Sequence, residues 1–169
     1  MEISENERLI LSYLLEILAK LEPEKGYEKD LEVINRGYEL HYDTLFGRLS
    51  EPITPEKSKF VLDVLSMYRG IYYSNKNLDS KEKFDNRDIS FPGFDSQDEI
   101  EYMVYCRYFI QELDRFQDIK EIINGTFECG SLKVKKYESM LKKYEEFKKS
   151  QTGHTLSKDV ILDLINLSK

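Results

Sequence analysis

Tryptophan is absent from the 169-residue chain, and cysteine and histidine occur twice each. Each scarcity narrows what the protein can be. Two isolated cysteines, Cys106 and Cys129, make no disulfide framework, so reduced thiols and a cytoplasmic location are expected. His41 and His154 stand far apart, and neither belongs to an HExxH or CxxC pattern. No metal and no cofactor are therefore expected. No apolar run approaches the roughly 20 residues that a membrane span needs. The opening stretch MEISENERLILSYLLEILAKL lacks a positive leader region, and Ser12 and Glu16 interrupt its apolar residues, so no secretory signal is expected. An excess of positive charge is also missing. A net charge of −7 argues against duplex nucleic acid and against an anionic membrane surface. Finally, Val, Ile and Thr do not alternate with polar residues over any run, which leaves little or no sheet.

What is present is a core. Apolar residues make up 40% of the chain and include 12 Tyr and 9 Phe, too many for a disordered polypeptide. A length of 169 residues suits one domain, 1–169, with 150–169 forming a hinge and a C-terminal helix. The expected fold is all-α: a compact single-domain bundle of about six helices, with at most a trace of strand near Tyr38 to Tyr42.

Local signals place the helices. Ser4 and Glu7 have capping-box spacing, so a helix should run from there to about Leu21, stopped by Pro23. At 100° per residue, Arg8, Ser12, Glu16 and Lys20 share a narrow polar arc. Tyr13, Ile17, Ile10, Leu14, Leu18, Leu11 and Leu15 fill about 200° opposite. So wide an apolar arc exceeds one neighbour, and the helix should be central or shared with a second subunit. Further helices are expected over 27–36, ending at Gly37, from Thr54-Pro55 to about Ser74, over 132–149 and over 157–167, the last two joined by SQTGHT. Gly70 inside the Thr54-Pro55 helix points to a close helix approach. Ser96 to Glu99 repeats the capping-box spacing and should open a helix reaching about Lys120.

Candidate chemistry is sparse. In DISFPGFDSQDEIEYMVYCRYF, Phe91, Gly93, Phe94 and Asp95 read as structural anchors that fix how the chain enters the next helix, with Pro92-Gly93 allowing the bend. Cys106 falls in an apolar arc and reads as a core thiol. Cys129, in a loop beside Gly130, has no histidine near it in sequence to activate it. GTFECGS lacks the lysine of a phosphate loop. Catalytic residues are therefore not assigned. Arg107, at the edge of an aromatic helix face and two turns from Asp114, could hold an anion with Tyr105, Tyr108, Arg115 and Arg69. The run KVKKYESMLKKYEEFKK is locally basic and contains no arginine. It reads as a solvated face, or more weakly as a contact for nucleic acid or an acidic partner.

The segments ERLILSYLLEIL, INRGYEL, VLDVLSMYRGIYYSNKNL and ISFPGFDSQDEIEYMVYCRYFIQELDRF together resemble the YfbU-like family. The match runs from Glu7 to about Phe116 and continues more loosely through YESMLKKYEEF, to about residue 147. Its strongest part is F-x-G-F-D, Phe91 to Asp95, followed by the Tyr102, Tyr105 and Arg107 helix. The resemblance implies a small, mostly helical, cytosolic bacterial protein. It carries over no activity and no catalytic residue. The expected function is a non-enzymatic, self-associating interaction or regulatory module, a homo-oligomer with a protein partner. The alternatives are an anion binder or enzyme using the Arg/Tyr cluster, and, more weakly, a nucleic-acid-binding regulator acting through the lysine-rich helix.

Overall fold

The computed structural model describes residues 3–47, 49–150 and 155–168. They form helices and turns, with no strand among the described residues. His154 and most of the expected SQTGHT hinge lie outside them. The chain divides into two compact units, residues 1–52 and 53–169.

In the first unit, α1 (Glu5–Leu21) packs on α2 (Tyr27–Arg36), and a short α3 (Tyr42–Phe46) follows. Ser4 opens α1 with the expected capping box: its hydroxyl accepts from the Glu7 amide while the Glu7 carboxylate accepts from the Ser4 amide. Gly37 ends α2 at φ 69°, where its amide closes on the Ile34 and Val33 carbonyls. The trace of strand expected near Tyr38 to Tyr42 is instead a 3₁₀ turn, Glu39–His41, leading into α3. Leu40 and Tyr42, two residues apart, would share one face of a strand, and here they part. Tyr42 is buried, and Leu40 is 88% exposed.

The second unit is built on α4 (Pro55–Asn77), capped by the Thr54 hydroxyl and buried along Val61, Val64, Leu65, Tyr68, Ile71 and Tyr72. Packed on it are α5 (Ile100–Arg107), α6 (Val134–Ser150) and α7 (Lys158–Ser168). Gly70 is where Tyr144 of α6 comes closest, and a Cβ there would lie 3.2 Å from the Tyr144 Cζ. Buried Ser74 accepts from the Leu156 amide at 2.8 Å and so anchors the approach to α7. Asn75 closes the loop after α4 with a bond in each direction to the Phe84 backbone.

The stretch between α4 and α6 departs most from the pattern read in sequence. Ser96 caps nothing. Asp95 accepts from the Gln97 and Asp98 amides, and α5 begins at Ile100. Nor does α5 reach Lys120. It passes into one π turn, Tyr108–Glu112, and the helix is broken by left-handed residues Asp114 and Phe116 before a 3₁₀ segment, Gln117–Ile122. The apolar spacing persists through this break because Ile110, Phe116 and Ile119 still turn toward the core, each by a different backbone route.

Two isolated parallel bridges, Phe91 with Ile123 and Phe94 with Glu128, clasp the FPGF segment to the loop before α6. Phe91 and Phe94 are fully buried. Their rings meet each other and Tyr137, with centroids 5.4 to 5.9 Å apart. Gly93 sits between them at φ 101°, and its carbonyl accepts from the Tyr137 hydroxyl at 2.7 Å.

Candidate functional site

The site begins with the way α1 uses its two faces. Patterning assigns Arg8 and Ser12 to the outer, polar arc, but the structure turns them inward. The Arg8 guanidinium donates to the Ile34 carbonyl (3.2 and 2.9 Å) and to Asn35 (3.3 Å), and the Ser12 hydroxyl donates to the Asn35 side chain at 2.7 Å. The last carbonyls of α2 have no partner within their own helix, and Arg8 supplies one. That need is the signal that helical periodicity misses.

Turning the polar arc inward pushes apolar side chains outward. Leu9, Ile10, Tyr13, Leu14, Ile17 and Leu21 are each between 51% and 72% exposed. Ile10, Tyr13, Leu14, Ile17 and Leu21 form one continuous arc away from the α2 contact, and Leu9 lies at its edge, beside Arg8, Ser12, Ile34 and Asn35. Glu5 and Glu7 flank it at the first turn, and Lys20 at the last. No acid–base pair stands on this surface.

Within the expected anion cluster, Tyr105 and Arg69 border the same aromatic run, Phe109 and Phe116. Arg69 is bound to Asp118 through two hydrogen bonds, 2.6 and 2.5 Å, and lies over the Phe116 ring. Tyr73 also donates to Asp118. Arg107 reaches the Thr126 carbonyl at 3.5 Å. Its helical spacing to Asp114 is void because the helix ends between them. Tyr105 stacks on Phe109, Tyr108 is exposed, and Arg115 presents its backbone carbonyl to Gln117.

The Arg69 guanidinium holds the Asp118 carboxyl below the usual carboxylate range, and the Tyr72 hydroxyl does the same for Glu121. A depressed folded-state pKa contributes stability above the ordinary carboxylate value, and that contribution is lost as pH falls through the folded one. Asp118→Asn should therefore lower the urea midpoint at neutral pH, and by progressively less as pH falls below the ordinary carboxylate range. A loss that stays constant as pH falls would remove the ion pair as the cause.

Burial pushes the Cys106 thiol up to about 12, which leaves it inert near neutral pH. Cys129 is raised in the same direction by burial and donates to the Ser131 carbonyl. Lys133, just before α6, donates to the Ser168 carbonyl, and on α6 Lys143 pairs with Asp163 and Lys148 lies over Tyr144, so part of the basic run is engaged within the protein. Among the described residues, no group of three or more His, Cys, Asp or Glu could hold a metal ion, and no helix is long and apolar enough to cross a membrane.

The profile of the YfbU domain matches residues 1–166. The chain belongs to the YfbU family. A relative from Methanocaldococcus jannaschii, a UPF0304 protein, is 30% identical over 168 residues, which cover 97% of this chain and 99% of that protein. The YfbU match thus spans both compact units, α1 and its exposed face included. It names no reaction and no ligand.

Proposed function

We propose that the protein is a non-enzymatic interaction module that pairs with a second copy of itself through the exposed face of α1. The observation that carries the reading is the set of six large apolar side chains, more than half exposed, on one side of a single helix. A patch of this kind marks an interface more often than a monomer surface. The first unit also needs it. Among its described residues, Ile34 and Tyr42 are the buried apolar side chains, a small core for about 50 residues. Covering α1 on two copies would bury on the order of 1,000 Å², near the lower bound for a specific interface.

The pairing is antiparallel. The run Ile10, Tyr13, Leu14, Ile17 has the same spacing in both directions, so a reversed copy sets Ile10 against Ile17 and Tyr13 against Leu14. Reversal also brings the acidic first turn, Glu5 and Glu7, over the Lys20 turn of the other copy, and it opposes the helix dipoles. A parallel pair would set like charges together at both ends. Two free cysteines fit a reducing compartment, and we place the module in the cytoplasm.

Light scattering coupled to gel filtration at micromolar concentration should give twice the 20.1 kDa chain mass, and Ile17→Glu should give the single-chain mass. Leu162→Glu, at an exposed leucine of α7, should leave the dimer intact. With Cys129→Ser to remove the accessible thiol, Tyr13→Cys should cross-link to itself on oxidation and Leu9→Cys should not. A monomeric wild-type protein would overturn the reading. Self-cross-linking at both positions would overturn the orientation.

A further inference from the structure

Asn124-Gly125 is the one Asn-Gly pair in the sequence, and it lies in the loop before α6, between the two bridges that clasp the FPGF segment. Such a pair is chemically reactive. Glycine has no side chain to shield its amide nitrogen, which can attack the side-chain carbonyl carbon of the residue before it. Asn124 and Gly125 are both exposed, and nothing lies within 4 Å of where a Gly125 Cβ would be. Neither water nor the attacking nitrogen is screened by neighbouring groups.

The restraint lies in how the Asn124 side chain is tied. Its NH₂ group donates to the Pro92 carbonyl at 3.1 Å and to the Glu128 carbonyl at 2.8 Å. Its Oδ1 accepts from the Thr126 amide at 3.3 Å and from the Thr126 hydroxyl at 3.1 Å. The contact to the Thr126 amide is an Asx turn, which aims the oxygen past Gly125. Ring closure needs the Asn124 Cγ to swing onto the Gly125 nitrogen, and that swing breaks these bonds. The two donor bonds also join both sides of the clasp, because Pro92 belongs to FPGF and Glu128 to the opposing loop.

We infer that Asn124 is a deamidation site gated by the clasp: latent while the clasp is closed, and converted once it opens. In the reaction the Gly125 nitrogen bonds to the Asn124 Cγ, the Cγ–Nδ2 bond breaks, and the proton lost from Gly125 leaves with Nδ2 as ammonia. One water then opens the cyclic imide at either carbonyl, giving aspartate or isoaspartate. Neither product can close the clasp again. A carboxylate only accepts hydrogen bonds, and here it would face the Pro92 and Glu128 carbonyl oxygens. Isoaspartate also adds one carbon to the main chain. The extra carbon falls between the Asn124 amide, held by the Phe91 carbonyl at 3.0 Å, and the Cys129 amide, held by the Phe94 carbonyl at 3.0 Å. Both bonds cannot then keep their register. Opening of the clasp becomes irreversible, and the chain carries a covalent record of it.

The test incubates the full-length protein in mildly alkaline buffer, folded and in denaturing guanidinium chloride, and reads the tryptic peptide Glu121–Lys133 by mass spectrometry for the change from amide to acid. An isoaspartyl methyltransferase serves as the probe for isoaspartate. The unfolded chain should deamidate at Asn124, and the folded one at least about tenfold more slowly, in proportion to the time the clasp is open. Thr126→Val, which removes the hydroxyl bond to Oδ1 and keeps the backbone amide, should deamidate several-fold faster than the folded parent. Asn124→Asp, which installs one product directly, should speed hydrogen exchange at the Phe94 and Cys129 amides, the bonds that close the clasp. Equal rates in the folded and unfolded chains, a Thr126→Val protein as well protected as the parent, or an Asn124→Asp protein that exchanges those amides like the parent would each overturn the inference.

Discussion

Gly93→Ala should destabilise the second unit by about 4 kcal/mol or more, a large part of the 5 to 15 kcal/mol that a domain of this kind has in total. Two independent effects add at this position. The φ of 101° lies where L side chains are rarely found, which by itself costs about 1 to 3 kcal/mol. An added Cβ would also overlap the Phe127 carbonyl and come within 2.8 Å of the Glu128 amide nitrogen. Both are backbone groups, and neither can swing aside. The Phe127 carbonyl is held by the Phe94 amide at 3.0 Å, and the Gly93 carbonyl by the Tyr137 hydroxyl. Relief would require opening the clasp and withdrawing Phe91 and Phe94 from the core. Gly130→Ala is the control, because nothing lies within 4 Å of its Cβ position. Its effect should stay within about 0.5 kcal/mol. Urea unfolding followed by tyrosine near-UV circular dichroism reads both, and equal midpoints for the two variants would refute the account of Gly93.

Much of the helical framework is legible in sequence because its signals are local. Ser4 with Glu7, Thr54 with Pro55, and Gly37 each satisfy backbone groups within four residues, so periodicity and caps place α1, α2 and the start of α4. The burial of Phe91 and Phe94 follows from aromatic composition around a bend. What sequence does not show is long-range. Ser96 to Glu99 has capping-box spacing, but Glu99 is drawn to amides 34 and 35 residues away, and Asp95 takes over the local turn. The end of α5 is invisible for a related reason. Leu113 and Phe116 continue the apolar spacing, so nothing marks the π turn or the left-handed residues that break the helix. The inward turn of Arg8 and Ser12 is the same kind of event, because the partner is the far end of α2. The α1 face can be named from sequence as too apolar for one neighbour. Which half of it stays exposed depends on that polar contact.

Glu99 carries the second large effect. Its carboxylate is 5% exposed and gathers three backbone amides: Asp95 at 3.1 Å, Lys133 at 2.8 and 3.0 Å, and Val134 at 2.7 Å. Lys133 and Val134 lie at the start of α6, so one buried anion sits on a helix N-terminus and ties it to the turn before α5. Glu99→Ala should cost about 3 to 4 kcal/mol, because it removes charge-assisted bonds and strands amides that water reaches poorly. Glu99→Gln should cost about half as much. Its oxygen can still accept from the α6 amides, but its NH₂ must then face the Asp95 amide, a donor against a donor. The size of the loss measures the stranded amides and the broken link, not the net worth of burying a charge, since a buried ion also carries a desolvation cost that the variant escapes. Hydrogen exchange separates the two contributions. In Glu99→Ala the Lys133 and Val134 amides should exchange much faster than in the parent, whereas the interior of α4 should change only as far as global stability falls. Unchanged exchange at those two amides would mean that something other than Glu99 caps α6.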